Sequence, residues 1–167
     1  MRVALAGLAS LMVTSCVRVR VVHTPAVAQA PAAETIEAMG RVVEVGSDPT
    51  TWLALEPVTG GAQTRLGGPG ATALRAVNGA TVWVSGSRTA NEIRVEVFEV
   101  RRIGNQDVDD GIVVATPTGV ELRMRSGATR PVPNATPTLR DIAGARVWIS
   151  RPVAGVTPSY GVLAPKP

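Results

Sequence analysis

The sequence predicts a mostly β protein, with two tandem, small five-stranded units behind a long N-terminal lead. Short β-branched and apolar runs alternate with breaks rich in Gly, Pro and Asp, which is strand-and-turn chemistry. The segment Leu74–Ser85 aligns without gaps on Leu139–Ser150, with seven of twelve positions identical and two more exchanging Val for Ile. Upstream, Gly40-Arg41-Val42-Val43 falls opposite Gly111-Ile112-Val113-Val114. Two copies about 65 residues apart suit duplicated domains better than a solenoid of short units.

The lead begins with Arg2 and an apolar run, Val3–Val13, interrupted by Gly7 and Ser10. The run has signal-peptide length and falls well short of the ~20 residues that span a bilayer. It ends in Val13-Thr14-Ser15-Cys16, and Cys16 is the only cysteine in the chain. This resembles the lipobox of bacterial lipoproteins: an aliphatic residue, two small residues and the lipidated Cys, with Val13 standing where Leu is commoner. The resemblance implies that 1–15 is a lipoprotein signal peptide and that Cys16 becomes an acylated N-terminus. Val17 rather than Asp after the Cys implies the outer membrane, facing the periplasm. A lone cysteine excludes internal disulfides. Residues 16–38 are rich in Ala, Val and Pro and read as a tether, extended over up to ~70 Å at ~3.1 Å per residue. At its end, Ala32–Met39 has the composition for a helical turn or two, too short to be stable alone.

The first unit, 39–104, opens with Arg41–Val45 and Trp52–Glu56 around the turn Gly46–Pro49. Ala62–Leu66 is a third strand, and Gly67–Gly70 breaks the chain. Leu74 and Val77 are spaced for one helical turn closed at Gly79. Thr81–Ser85 and Glu92–Arg101 complete the unit. In the last strand Ile93, Val95 and Val97 alternate with charges, and the phase slips at Phe98 and Val100, as a bulge would produce. Residues 105–110 read as an acidic linker. The second unit, 111–167, repeats the order with Ile112–Ala115, Val120–Arg125, Arg130–Val132, a helical turn at Leu139–Gly144, Arg146–Ser150 and Tyr160–Ala164. Three strands, a helical turn and two strands resembles the OB-fold, a five-stranded Greek-key β-barrel; an SH3-like barrel and a two-domain sandwich are the alternatives. Units of ~60 residues bury only ~60% of their unfolded surface, so the two are expected to pack on one another.

The catalytic inventory is thin. The single His, His23, lies in the tether, and the single Lys, Lys166, is one residue from the end. Neither a Ser-His-Asp nor a Cys-His arrangement can be drawn in the folded body, and zinc would lack His and Cys ligands. Asn105–Gly111 fails as an EF-hand loop, since the positions that need Gly and Glu hold Asp110 and Thr116. Gly67–Gly70 lacks the Lys-Ser/Thr of a phosphate loop. No enzyme activity, metal or cofactor is expected. Few aromatics for base stacking and an extracytoplasmic address argue against nucleic acid. Segment 111–167 carries seven Arg and Lys against two acids. That excess nominates Arg123, Arg125, Arg130, Arg140 and Arg146 as anion-binding candidates. Trp83 and Trp148, equivalent in the repeat, are candidate aromatic contacts or packing residues. The expected role is a non-catalytic, lipid-anchored binding or scaffold module for an envelope protein or glycan. An extracytoplasmic sensor or carrier of a small anionic ligand is the alternative.

Overall fold

The structure, a computed structural model, describes residues 34–89 and 91–167. The signal peptide, Cys16 and the tether through residue 33 lie outside the described residues. Strand exceeds helix by 54% to 11%, and all but one of the strand pairings are antiparallel, so the protein is mostly β.

The first half contains β1 (Glu34–Val45), β2 (Trp52–Pro57) and β3 (Thr64–Gly67). A short helix α1 (Pro69–Leu74) runs into a 3-10 turn (Arg75–Val77), followed by β4 (Thr81–Arg88) and β5 (Glu92–Ile103). β1 pairs antiparallel with β2 and β4, and β2 with β3. β3 runs parallel to the start of β5, and β5 returns antiparallel along β4. The chain of pairings therefore returns to β1.

β1 begins earlier than the sequence suggests. The expected tether, and the helical turn at its end, reach to residues 38 and 39, yet Glu34–Ala38 pair with Val84–Arg88 of β4. Ile36 and Ala38 pack against the core while Glu37 and Met39 face solvent. This alternation, together with a partner strand for the backbone, outweighs what one isolated helical turn could offer. In β5 the pairing passes from Ser85↔Val97 to Gly86↔Val95. Glu96 is the extra residue, and it moves the buried set from Ile93 and Val95 to Phe98 and Val100.

The second half contains β6 (Gln106–Thr116), β7 (Gly119–Met124), β8 (Thr129–Pro131), α2 (Pro137–Asp141), β9 (Arg146–Ser150) and β10 (Tyr160–Ala164). β6 pairs with β7 and β9, β7 with β8, and β9 with β10. Among the described residues β8 and β10 do not pair, so this path of five strands stays open. Of the acidic linker expected at 105–110, Gln106–Asp110 are instead strand. β5 and β6 form a hairpin through Gly104-Asn105, with Ile103 opposite Gln106, and β6 has already joined β9 at Val108.

The two halves share local geometry where their sequences match. Val42 donates to the Ala80 carbonyl at 2.9 Å and accepts from the Gly79 amide at 2.8 Å. Val113 donates to Ala145 at 3.0 Å and accepts from Gly144 at 2.8 Å. Gly40 and Gly111 each sit against a neighbouring strand: a Cβ would stand 2.4 Å from the Glu56 carbonyl oxygen or 2.6 Å from that of Arg123. Leu74 and Leu139 are buried at equivalent places, as are Val82 and Val84 with Val147 and Ile149.

Each half has its own apolar cluster, but the first also takes in Val108 and Leu163 from the second, and Trp148 packs against it. β10 thus turns Leu163 towards the other half's core. Gly161 makes room for this, since a Cβ there would lie 2.4 Å from the Trp148 indole nitrogen. The described residues all fall in one contact unit.

Gly111→Ala is expected to destabilise the protein by about 1–3 kcal/mol, because the methyl group meets backbone that cannot swing aside. Urea denaturation checks this, and an unchanged midpoint would contradict the close approach.

Candidate functional site at the junction of the halves

Alternation along β6 sends Val108, Asp110 and Ile112 to one face and Asp109, Gly111 and Val113 to the other. The first face meets the first half, and the second contributes Val113 to the second half's own core. Asp109 and Asp110 are therefore both buried although adjacent. They point apart and cannot hold one cation together. Among the described residues no three His, Cys, Asp or Glu side chains are grouped for a metal.

Each aspartate meets an arginine brought from far along the chain. Arg146 approaches Asp110 through two nitrogens, Nε to Oδ1 and Nη2 to Oδ2, both at 2.8 Å. Its Nη2 also donates to the Phe98 carbonyl, and its guanidinium lies 4.3 Å from the centre of the Phe98 ring. Asp110 Oδ2 accepts the Val100 amide at 2.9 Å. The pair thus satisfies one acceptor and one donor on the edge of β5. On the other face, Arg130 donates to Asp109, and Arg151 lies 3.4 Å from the same carboxylate.

The expected anion set divides accordingly. Arg146 and Arg130 are held by the aspartates. Arg125 lies 3.7 Å from Glu99 and stacks over the Trp83 ring at 5.2 Å, bridging from the second half to the first. Arg140 donates to the Thr116 carbonyl at 3.2 Å, away from the others. Arg123 is exposed and has no carboxylate within 4.0 Å among the described residues. Arg123, Arg125 and Arg146 do share one cleft of about 450 Å³ between the halves, while Arg130 and Arg140 lie outside it. The cleft is also lined by Val97, Ile112 and Met124, all part-exposed, and by the buried Phe98. Trp83 and Trp148 both contribute to the junction, Trp83 beneath Arg125 and Trp148 against the first half's core.

Sequence reasoning missed Asp110, Asp109, Glu99 and Phe98. The excess positive charge read in 111–167 is met by acids that precede it, since Asp107, Asp109 and Asp110 belong to the second half's first strand. The repeat alone did not signal this, because the residues before Gly40 read as tether; the pairings with β4 and β9 reveal both starts as strand.

Comparison with family models, with curated proteins and with solved structures found no match.

Asp110→Ala leaves Arg146 and the Val100 amide without their partner and is expected to cost about 3 kcal/mol. Glu44→Ala removes the exposed ion pair with Arg75 and is expected to cost under ~1 kcal/mol. Guanidinium denaturation of both variants checks the contrast, and equal losses would contradict it.

Proposed function

We propose that the protein is a non-catalytic envelope lipoprotein, anchored through lipid on Cys16, that presents two OB-like β-barrels to a protein or glycan partner. The order β1–β2–β3–β5–β4 with return to β1 supports a barrel for the first half. The matched hydrogen bonds at Val42 and Val113, and the matched crowding at Gly40 and Gly111, support a duplicated unit whose second copy is left open between β8 and β10.

The observation that carries the scaffold role is the set of polar contacts across the junction. Asp110 and Arg146, paired within the second half, reach across it to the Val100 amide and the Phe98 carbonyl, and Arg125 reaches across it to Glu99. Such contacts suit a module that presents surfaces to a partner. Val153 and Val156, in the connection before β10, and Val162 on β10 are exposed large apolar residues of the kind a partner covers.

Metabolic labelling with a palmitate analogue, followed by membrane fractionation, tests the anchor. The wild-type chain should carry label and sediment with the outer membrane, whereas Cys16→Ala should lose both. An unlabelled wild-type chain recovered from the soluble cell interior would overturn this reading.

A further inference from the structure

We propose that the cleft between the halves binds an amphiphilic monoanion, its single acidic head on Arg123 and its apolar body over Ile112, Met124 and Val97. The site needs neither the lipid anchor nor a macromolecular partner.

The cleft is built by strand register. Ile112 of β6 stands opposite Arg123 of β7 on one side and Arg146 of β9 on the other. Two guanidiniums therefore flank one apolar side chain in a single cross-strand row, with strands ~4.8 Å apart. β5 of the first half closes the opposite wall with Val97, Phe98 and Glu99.

Charge selects the ligand. Three guanidiniums against the carboxylates of Glu99 and Asp110 leave one positive charge among the lining residues. Arg146 is engaged by Asp110 and the Phe98 carbonyl, while Arg125 lies over the Trp83 ring and 3.7 Å from Glu99, a carboxylate that Arg101 also pairs at 2.7 Å. Arg123 is the cation of the three without an acidic partner, and its planar fork of donors suits a carboxylate or sulfonate.

The apolar surface selects the rest. A bare phosphate would leave Val97, Ile112 and Met124 uncovered. An apolar body covers them, and a volume of about 450 Å³ is in the range of small-molecule sites.

The probe is 8-anilinonaphthalene-1-sulfonate, an aromatic body with one sulfonate, titrated by fluorescence into the folded full-length protein. Its neutral counterpart is N-phenyl-1-naphthylamine, with the same rings and no acid. The wild type should bind the sulfonate saturably at one site, and decanoate should displace it. Arg123→Ala should weaken sulfonate binding about tenfold or more, while leaving the neutral probe unaffected. Arg140→Ala, outside the cleft, should leave both unchanged. Circular dichroism and thermal melts establish that each variant is folded, which the exposure of both side chains favours. Absence of saturable sulfonate binding, or equal affinity in Arg123→Ala, would overturn the proposal.

Discussion

A strand that leaves its ladder exposes backbone donors and acceptors that must be met by something other than another strand. Along β5 the Val100 amide and the Phe98 carbonyl are met by side chains, the Asp110 carboxylate and the Arg146 guanidinium. The rest of the structure depends on this contact. Asp110 lies on the second half's first strand, Arg146 comes from its fourth, and the groups they hold belong to the first half's last strand. The Asp110 side chain is 4% exposed, so an unmatched partner would leave a charge out of water at a cost of several kcal/mol. The paired geometry is satisfied on both sides and sets one register between β5 and the second half. Such a pair acts here as a constraint on docking more than as a source of net stability.

Apolar contacts supply the attraction that the charges direct. Half-sized β units bury too little surface to stand comfortably alone. Leu163 and Val108 enter the first half's cluster, and Trp148 lies against it. Turning β10 that way accompanies an open second path, in which β8 and β10 do not meet. The equivalent strands in the first half, β3 and β5, do pair, over Arg65–Gly67. One sequence pattern thus ends in two strand arrangements, and the side on which the last strand finds its apolar partners distinguishes them.

Much of this was legible in the sequence. Apolar runs between turn residues, and the repeat, identified β2, β7, β9 and β10 closely, and the shift in phase at Phe98 corresponds to the bulge at Glu96. The turns at Leu74 and Leu139 followed from helical spacing before glycine. The starts of β1 and β6 were not legible. Glu34–Ala38 and Gln106–Asp110 look solvated because their polar side chains are prominent, and only tertiary partners reveal them as strand. The same limit applies to the arginines. Counting charge along the chain nominated five, but an arginine's role depends on which carboxylate the fold delivers to it. Asp110 and Arg146 are 36 residues apart, and no local pattern links them.

Native-state hydrogen exchange at the Val100 amide tests the central claim most directly. Held by a buried carboxylate at the junction, this amide should open with the same free energy as the Val42 amide in the first half and the Val113 amide in the second. A single shared opening would mean that the halves unfold together. Rapid exchange at Val100, as at a frayed edge, or distinct opening energies for Val42 and Val113, would contradict the account.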